Sequence, residues 1–383
     1  MSAQTITLNR RSLQCHKRWG GKLEIRSKAP LKNKLDLSVA YTPGVAEVCR
    51  AIFKNSELAR TYTIKKNCIA VVTDGSAVLG LGNLGPLGAL PVMEGKAILF
   101  KELGDIDAFP ICLDTQDVEE IIDTVKRIAP VFGGINLEDI AAPRCFEIEE
   151  RLKKELDIPV MHDDQHGTAV VVLAGLINSL KLKTLSIKDA HIVVLGAGAA
   201  GTAITELLLE YGAKNITVCD RGGILNKKNN SLSAHKAQLA KRTNSEGRSG
   251  SLADALTGAD VFIGVSAKNL VTHAMVQSMN SKPVVIAMAN PDPEILPSVA
   301  KKAGAYIVAS GRSDFPNQVN NVLAFPGIFR GALDHHVRTI TSTMLIAAAK
   351  KLSGYVKRPT PERILPNPLD KGVVKVVASA IRV

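Results

Sequence analysis

The sequence predicts an α/β protein with two domains, each built on a largely parallel sheet. Length is the first observation, because 383 residues exceed the roughly 100–200 residues of one ordinary domain. The second is the alternation of short apolar strands with helical segments, which favours parallel sheets covered by helices. The third is a glycine-rich turn between a strand and a helix at Gly196. We place the domain boundary near residue 160, which gives units 1–160 and 161–383.

The first domain is predicted to begin with an amphipathic helix and an extended arm in the basic, polar residues 1–36, suited to packing or subunit contact. The strand IAVVTDG (69–75) follows, then a glycine-rich loop to residue 95 and the helix KAILFKELG (96–104). Two more strand and helix pairs come next: DAFPICLD with DVEEIIDTVKRIAP, and FGGINLED with PRCFEIEERLKKEL. Pro143 suits the first turn of the last of these helices.

The second domain is predicted from the segment IPVMHDDQHGTAVVVLAGLINSLKL (158–182), which reads as a strand, an acidic turn and a long buried helix. Polar residues 183–189 then mark a boundary. Five short apolar strands follow, each entering a turn of Gly, Asn, Asp or Ser: HIVVL, NITVCD, VFIGVS, KPVVIAMANPDP and AYIVASG. Residues 334–383 leave room for closing helices.

The net positive charge suggests nucleic acid as a partner, but the residue pattern disfavours it. Lys and Arg outnumber Asp and Glu by 48 to 36, a formal net charge of +12, which is compatible with nucleic-acid binding. The charge-rich stretch 226–250 is predicted to be an exposed loop and helix, but it contains no aromatic residue for base stacking. We therefore expect no nucleic-acid partner.

The cysteines and the N-terminus favour a cytoplasmic protein. No C-x-x-C pair occurs, so we expect reduced thiols rather than a disulfide framework or a zinc ribbon. The six positions are Cys15, Cys49, Cys68, Cys112, Cys145 and Cys219. The N-terminus lacks the apolar core of a signal peptide, and no apolar run approaches the ~18 residues that cross a membrane.

The glycine-rich turn matches the dinucleotide-binding pattern G-x-G-x-x-G. It follows the strand HIVVL and opens a helix, which is the context that the motif requires. Its residues are Gly196, Ala197, Gly198, Ala199, Ala200 and Gly201. The first glycine permits the turn, the second lets a pyrophosphate approach, and the third lets helix and strand pack closely. The free N–H groups at the helix start favour the phosphates, so a Rossmann-type domain is predicted. The alternative is that these glycines serve packing only.

Asp220 ends the next strand, nineteen residues after Gly201. A carboxylate there can accept hydrogen bonds from both ribose hydroxyls, whereas a 2′-phosphate would meet like charge. This favours NAD over NADP, although the neighbouring Arg221 weakens the preference.

Two pairs of acidic residues stand where a strand becomes a helix. Neighbouring side chains in a strand point to opposite faces, so adjacent ligands can converge only where the strand ends. The pairs are Glu138 with Asp139, and Asp163 with Asp164. Such oxygen-rich sites suit Mg²⁺ or Mn²⁺. On spacing alone the alternative, that these acids cap the following helices, is equally open. His162 and His166 flank the second pair, and we expect structural or solvent-facing roles for them.

Taken together, these motifs resemble the malic enzymes in their short prokaryotic form. The matching stretches span nearly the whole chain in order: SVAYTPGVAEVC, VVTDGSAVLGLGNLGPLGALPVMEGKA, INLEDIAAPRC, PVMHDDQHGTA, VVLGAGAAG, VIAMANPDPE and NQVNNVLAFPGIFRGAL. The resemblance implies oxidative decarboxylation of L-malate to pyruvate and CO₂, with NAD(P)⁺ and Mg²⁺ or Mn²⁺. It also implies a homodimer, whose site can borrow residues from the partner.

The resemblance implies a role for each matching residue. Tyr41 is similar to the acid that protonates the enolpyruvate carbon, and Lys96 to the base that takes the proton of the malate C2 hydroxyl. The implied metal ligands are Glu138, Asp139 and Asp164, with Asp163 beside them in the catalytic centre. We expect burial and the cation to lower the pKa of Lys96, since a base must be neutral. Without the resemblance, Tyr41 is a core or interface tyrosine and Lys96 a solvated lysine at a helix start.

Contacts to the substrate and the nicotinamide are implied for Asn290 and Asn320, and less strongly for Asn321. The long, animal-type enzymes carry an arginine after VVTDG that grips a malate carboxylate, but here Ser76 begins the corresponding stretch. We expect Ser76, loop amides and Asn320 to replace it, or an arginine such as Arg50 or one from a partner.

Neighbouring activities remain open from the sequence. A metal-dependent oxaloacetate decarboxylase, or a malolactic activity that makes lactate without releasing NADH, would need the same residues. A nucleic-acid-binding protein that reuses a nucleotide fold is the distant alternative.

Overall fold

The computed structural model describes residues 3–382, and for residues 3–6 it describes the backbone alone. The outermost residues of the two predicted domains, Met1, Ser2 and Val383, lie outside the described residues. No described helix combines the length and the apolar character that a membrane crossing would need.

Four α-helices precede the first sheet in the described part of the chain. The sequence predicted one helix and an extended arm within residues 1–36. The four helices are α1 (Ala3–Trp19), α2 (Lys34–Ala40), α3 (Val45–Lys54) and α4 (Ala59–Tyr62). None of the residues of α2, α3 and α4 is buried. This N-terminal segment therefore lies on the surface of the chain rather than in its core.

The first sheet has four parallel strands in the order β2-β1-β3-β4. Its strands are β1 (Cys68–Thr73), β2 (Asp107–Cys112), β3 (Gly134–Leu137) and β4 (Val160–His162). The helices that connect and follow them are α5 (Gly85–Gly104), α6 (Val118–Ile128), α7 (Arg144–Glu155) and α8 (Asp163–Lys183). Since all strands run the same way, the loops after β1, β3 and β4 meet at one edge of the sheet.

Helix α5 corrects one sequence prediction. It begins at Gly85, with Pro86 in its first turn, and not at Lys96 after a long loop. The glycines and Pro91 made this stretch look like a loop, but its apolar face packs between other elements, and tertiary burial outweighs weak helix propensity. Met93, Lys96 and Phe100 lie on that buried face. Lys96 is thus an interior residue of a long helix.

The second sheet has six strands in the order β10-β9-β8-β5-β6-β7, all parallel except β7. Its strands are β5 (His191–Leu195), β6 (Asn215–Asp220), β7 (Gly223–Ile224), β8 (Val261–Gly264), β9 (Val284–Ala287) and β10 (Ile307–Ser310). The strand order reverses at β5, which is the doubly wound arrangement of a Rossmann-type fold. The short antiparallel β7 was not predicted.

Helices cover the second sheet and close the chain. They are α9 (Ala199–Tyr211), α10 (Ala234–Arg242), α11 (Leu252–Leu256), α12 (His273–Gln277), α13 (Pro297–Lys302), α14 (Phe325–Asp334), α15 (Ser342–Tyr355) and α16 (Lys371–Ala378). Short 3-10 turns occur at Ser56–Leu58, Ile64–Lys66, Ala129–Val131 and Asn321–Leu323.

The stretch 226–250 is less exposed than predicted. Leu239 and Ala240 of α10 are buried, and two asparagine side chains form hydrogen bonds to the backbone of the flanking loops. Asn226 donates to the Gly247 carbonyl at 3.0 Å, and Asn244 donates to the Leu225 carbonyl at 3.1 Å. This charged stretch is therefore an ordered part of the second unit.

One hydrophobic core joins the two sheets. It contains Val71 of β1 and Phe100 of α5, and also Val194 of β5 and Ile204 of α9, with the apolar residues of α8 between them. α8 begins directly after β4, without the separate acidic turn that was predicted, and carboxylates are favourable in the first turn of a helix. The edge of the first sheet is therefore held in a fixed position relative to the second.

Candidate active site

Three carboxylates meet at the edge of the first sheet where its strands end. Glu138 and Asp139 follow β3, and Asp164 is the second residue of α8, directly after β4. One ligand oxygen from each lies within 4.8 Å of the others, and Glu138 and Asp139 are buried. The residues predicted as metal ligands are thus brought together, because neighbouring parallel strands end at the same edge.

The helix-capping alternative does not describe these carboxylates. The N-cap of α8 is His162, which makes no side-chain cap bond. The Asp164 carboxylate instead accepts a hydrogen bond of 2.8 Å from the backbone N–H of Asp139, across to the loop after β3. Asp139 has a φ of 54°, a left-handed conformation, and a carboxylate oxygen of Asp139 lies within 4.8 Å of one of Glu138.

The donor set fits a hard divalent cation. All candidate ligand atoms are carboxylate oxygens, and the buried Oδ2 of Asp139 has no hydrogen-bond partner among the described residues. Burial raises the pKa of Glu138 well above its usual range, against the opposing effect of Lys96. Burial and then the Asp164 carboxylate raise the pKa of Asp139 to about 8. The site therefore retains protons that a cation would displace.

Lys96 of α5 lies among these acids. Its Nζ is 2.6 Å from Asp163 Oδ2 and 2.8 Å from Glu138 Oε1, and it stands 4.3 Å above the Phe325 ring centroid. Burial alone would lower the pKa of Lys96, but the carboxylates of Asp163 and Glu138 outweigh it and raise that pKa. Without a cation, Lys96 is therefore an ammonium ion, and the lowering expected with a bound cation stays a prediction. Lys96 is neither solvated nor at a helix start.

A further buried carboxylate, that of Glu149, binds residues at the start of α8. Glu149 of α7 accepts hydrogen bonds from the His162 backbone N–H at 2.9 Å, from Gln165 at 3.2 Å and from His166 at 2.9 Å. It also pairs with Lys153 at 2.7 Å. Burial would raise the pKa of Glu149, but the charges of His166 and Lys153 hold it well below its usual range.

This network holds the side chain of His166 and the backbone of His162, whose two ring nitrogens have no hydrogen-bond partner among the described residues. His166 is tied to Glu149, as expected for a structural residue. His162 is fully buried, and its Nδ1 lies 3.8 Å from Asp164 Oδ2. Sequence reasoning missed Glu149, because a buried acid on an otherwise charged helix has no distinctive pattern.

Ser76 is engaged within the protein. Its hydroxyl donates to Asp74 Oδ1 at 2.6 Å and accepts from the Ala141 N–H at 2.9 Å. Asp74 is buried and also pairs with Arg144 at 2.9 Å. The hydroxyl proton that Ser76 would offer to a substrate carboxylate is therefore already used in this conformation. Arg144 was not singled out from the sequence.

The glycine-rich turn has the space that a dinucleotide needs. A Cβ on Gly201 would lie 1.8 Å from the Gly196 carbonyl oxygen, and one on Gly196 would lie 2.6 Å from the Val265 carbonyl oxygen. Nothing lies within 4 Å of a Cβ at Gly198, so the backbone there is open to a phosphate. Ala199 and Ala200 form the first turn of α9, where backbone N–H groups are free.

Asp220 ends β6, and its carboxylate has two partners. Its Oδ2 is 2.6 Å from Lys236 Nζ, and its Oδ1 accepts the Gly222 N–H at 2.8 Å. Lys236 belongs to α10, so two cationic residues, Lys236 and Arg221, stand near this carboxylate. The first was not predicted, because it is sixteen residues further along the chain.

The asparagines lie at the edge of the second sheet that faces these loops. A Cβ on Gly80, in the loop after β1, would be 1.9 Å from the Asn290 carbonyl oxygen, so the two loops touch. Asn320 caps the turn Asn321–Leu323 by accepting the Val322 N–H at 2.9 Å. A Cβ on Gly167 would lie between Asp163 Oδ1, at 1.8 Å, and Asn321 Cβ, at 3.3 Å.

Tyr41 and Arg50 are not brought to this centre. Tyr41 is at the C-terminal end of α2, and 66% of it is exposed. Arg50 of α3 pairs with Glu47 at 2.8 Å on the surface. No described contact of the chain joins either residue to Lys96 or to the three carboxylates of Glu138, Asp139 and Asp164, called the acidic trio below.

Comparison with protein families gives two matches that together span most of the chain. Residues 165–381 match the model "Malic enzyme, NAD binding domain". Residues 20–119 and 115–153 match "Malic enzyme, N-terminal domain".

Two curated relatives are 54% identical to the chain. One is the "Bifunctional malic/malolactic enzyme" of Bacillus subtilis, aligned over 98% of this chain and 92% of the relative. The other is the "NAD-dependent malic enzyme" of Geobacillus stearothermophilus, aligned over 94% of this chain and 76% of the relative. Relatives named as NADP-dependent also occur, for example one of Rhizobium meliloti at 47% identity.

Solved structures agree with the fold over nearly its whole length. The NAD-dependent malic enzyme of Thermotoga maritima is 50% identical, with a TM-score of 0.94 over 97% of this chain and 98% of that one. The malic enzyme of Entamoeba histolytica is 40% identical, with a TM-score of 0.96 over 99% of this chain and 81% of that one.

We predict that metal binding releases protons from the acidic trio. The raised pKa of Asp139, about 8, means that the folded, metal-free protein holds a proton that the unfolded chain has lost above its ordinary pKa of 3.8. Stability of the metal-free form should therefore fall as the pH rises toward 8. The Mn²⁺ concentration that gives half-saturation should fall by about tenfold per pH unit between pH 6 and 8 for each proton displaced. Electron paramagnetic resonance of free Mn²⁺ measures it, and a half-saturation independent of pH would contradict the prediction.

We predict that Glu149→Gln destabilises the protein while Glu150→Gln does not. Breaking a buried, multiply bonded charge costs about 3 kcal/mol of unfolding free energy, whereas the exposed Glu150–Lys154 pair on the same helix contributes about 0–1 kcal/mol. Urea unfolding of both variants measures the difference. Glu149→Gln should also weaken Mn²⁺ binding, since Glu149 fixes the residue before Asp163. Equal stability of the two variants would refute this role.

Proposed function

The chain belongs to the malic enzyme family, and we propose that it catalyses the oxidative decarboxylation of L-malate to pyruvate and CO₂, with NAD⁺ as the preferred acceptor. One observation carries the proposal beyond family membership. The acidic trio, the buried Lys96 and the open glycine-rich turn lie on elements that one shared core holds together.

The residues present fit a divalent cation and a dinucleotide. Glu138, Asp139 and Asp164 would hold Mg²⁺ or Mn²⁺, and the turn from Gly196 to Gly201 would hold the pyrophosphate of the dinucleotide. When bound, the cation polarises the oxygen on the substrate carbon that is oxidised, and the dinucleotide accepts the hydride from that carbon.

Lys96 would accept the proton of the substrate hydroxyl, and Asp163 would stabilise the protonated lysine. Four carboxylates surround one ammonium group here, so the positive charge of a cation replaces much of the attraction that keeps Lys96 protonated. Once neutral, its Nζ can accept a proton, and Asp163 Oδ2 at 2.6 Å stabilises the ammonium ion that forms. Asp163 thus orients Lys96 and sets its basicity, which is how it would take part in catalysis.

Asn290 and Asn320 remain proposed contacts for the substrate and the nicotinamide. Both stand at the edge of the second sheet that faces the first, and the Gly80–Asn290 approach places Asn290 against the loop after β1. Asp220 is the proposed reader of the ribose, and a ligand there would compete with Lys236 for its carboxylate.

A malolactic activity is the second candidate. It is favoured by the Bacillus subtilis relative, which is named as bifunctional. The reaction would use the same cleft but would keep the reduced dinucleotide bound until pyruvate is converted into lactate.

We predict that the purified protein, with L-malate and Mn²⁺, forms NADH and pyruvate in equal amounts, faster with NAD⁺ than with NADP⁺. Lys96→Ala should lower kcat by about 100-fold or more, because the proton acceptor is lost, while NADH binding persists. Lys101→Ala is the matched control, since Lys101 lies on the same helix but pairs with Asp105 at the surface.

The products separate the candidates in this assay. Lactate without free NADH would replace the first proposal by the malolactic reaction. Turnover of Lys96→Ala at the rate of Lys101→Ala would remove Lys96 from the mechanism.

A homodimer formed through the N-terminal segment is the proposed assembly. Large apolar side chains are exposed along this segment, an arrangement that marks interaction surfaces. They include Leu8, Leu13, Trp19, Ile25, Leu35, Val39, Tyr41 and Phe53. Tyr41 lies within this face, so association would place it at an interface, where it can serve a site that its own chain does not complete.

We predict that the protein has twice its 40.8 kDa chain mass in light scattering. Phe53→Asp should lower the mass toward that of one chain, since Phe53 is 93% exposed in the single chain and a charge would be buried on association. Leu369→Asp is the control, as Leu369 is 72% exposed outside this segment. A dimer that Phe53→Asp leaves intact would exclude this face.

A further inference from the structure

Arg144 is the first residue of α7, and its guanidinium reaches back to the loop after β1. The cleft is here the space between the metal-binding residues Glu138, Asp139 and Asp164 and the glycine-rich turn at Gly196. We propose that Arg144 binds an anionic oxygen of a ligand in this cleft, either a carboxylate of the substrate or a phosphate of the dinucleotide. The inference rests on the proposed function for the identity of these ligands. Nothing in the family matches assigns a role to this residue.

One side of Arg144 belongs to the metal centre. Its Nη2 donates to Asp74 Oδ2 at 2.9 Å, in the loop after β1. That loop is bonded to the metal-binding loop, because the Ala77 N–H donates to the Asp139 carbonyl at 2.9 Å. The Ala141 N–H adds a second link to Ser76 at 2.9 Å. The guanidinium therefore lies between two loops that frame the acidic trio.

The helix that carries Arg144 also contacts the dinucleotide turn, through a neighbouring residue. Phe146, two residues further along α7, has its ring 5.4 Å from that of His235. His235 Nε2 lies 3.1 Å from the Ala197 carbonyl oxygen within the glycine-rich turn. Ala199 packs against the same hydrophobic cluster as Phe146. The start of α7, where Arg144 lies, thus contacts both the loop after β1 and a residue bonded to the glycine-rich turn.

The guanidinium keeps donors that the protein does not use. Its Nε is buried and has no hydrogen-bond partner among the described residues, and 30% of the side chain is exposed. A buried donor without an acceptor is unfavourable, so its persistence points to an acceptor that arrives with a ligand. The planar fork of an arginine matches a carboxylate or a phosphate with two parallel hydrogen bonds.

Other cations near the cleft are already engaged. Arg312, after β10, donates from Nε and Nη2 to Asp314 at 2.9 and 2.7 Å, and from Nη1 to the Pro291 carbonyl at 3.3 Å. Lys96 is held by Asp163 and Glu138. Unlike these two cations, Arg144 has a buried donor, Nε, without a partner among the described residues.

The competing interpretation is that Arg144 only neutralises the buried Asp74. The two interpretations separate in a double variant. R144Q alone leaves Asp74 charged and without its guanidinium, whereas R144Q/D74N removes both charges and keeps the shape of the side chain at position 74. If Arg144 serves Asp74 alone, the double variant regains ligand binding; if Arg144 binds a ligand, the defect remains.

The experiment compares the wild type, R144Q, R144Q/D74N and R151Q. Arg151 is the matched control, since it lies on the same helix and pairs with Glu119 at the surface. For each protein, calorimetry with Mn²⁺ gives the dissociation constants of L-malate and NADH, and steady-state kinetics gives kcat and both KM values. We expect about tenfold or greater weakening of one ligand in R144Q and in R144Q/D74N, the loss typical of a charged hydrogen bond. R151Q should stay within about twofold of the wild type.

Each outcome decides the matter. Weaker malate binding with unchanged NADH binding supports the carboxylate as the partner of Arg144, and the reverse supports the phosphate. Wild-type binding of both ligands in R144Q, or recovery of binding in R144Q/D74N, would overturn the proposal. If R144Q does not fold, the double variant carries the test. The calorimetric constants need no turnover, so a wild type that binds malate and NADH without oxidising malate would refute the proposed function and leave Arg144 testable.

Discussion

The structure is organised around an excess of negative charge at one edge of the first sheet. Glu138, Asp139, Asp163 and Asp164 lie there, and Lys96 pairs with two of them, Glu138 and Asp163. Burying carboxylates is costly unless cations or protons compensate them, and burial together with the Asp164 carboxylate raises the pKa of Asp139 despite the nearby Lys96. The surrounding fold has to hold these groups against their mutual repulsion. Parallel strand ends, the Asp139–Asp164 bond and the Glu149 network do so.

The same constraint explains why the two halves of the chain are not independent. Asp163 and Asp164 start α8, and the rest of α8 packs into the core that also contains β5 and α9. A shift of the second sheet would therefore move two of the four acids. A reaction between a group held at the acidic edge and a dinucleotide held at β5 needs a fixed separation, because small displacements of reacting groups are expensive. The long helix provides this separation through packing alone.

The sequence predicted those parts of the site that follow from local pattern and sheet geometry. Acidic pairs at two strand ends predicted a possible metal site and left helix capping equally open, and the resemblance to the malic enzymes implied Glu138, Asp139 and Asp164 as the ligands. Strand, glycines and helix in order predicted the turn at Gly196. Lys96 was placed at a helix start because glycines and prolines hide a helix that is stabilised only by burial. Glu149, Lys236 and Arg144 act through partners distant in sequence, and no local pattern reports such pairs. Tyr41 makes no described contact with the centre within one chain, and a contact made across an assembly leaves no local pattern in the sequence.

The pairing of Asp220 with Lys236 bears on the proposed preference for NAD. A free carboxylate would repel a 2′-phosphate, but a carboxylate neutralised by a lysine repels it less, so the like-charge argument is weaker than the sequence alone suggests. The pair is partly exposed, and such pairs contribute about 0–1 kcal/mol. Hydrogen bonds from two ribose hydroxyls to a carboxylate contribute about 1.5–3 kcal/mol each. A ribose can therefore displace Lys236 from Asp220 with a net gain in binding free energy. A 2′-phosphate would instead pair with Lys236, and Asp220 would then lose its cationic partner. The balance still favours NAD, and Lys236 sets how large the margin is.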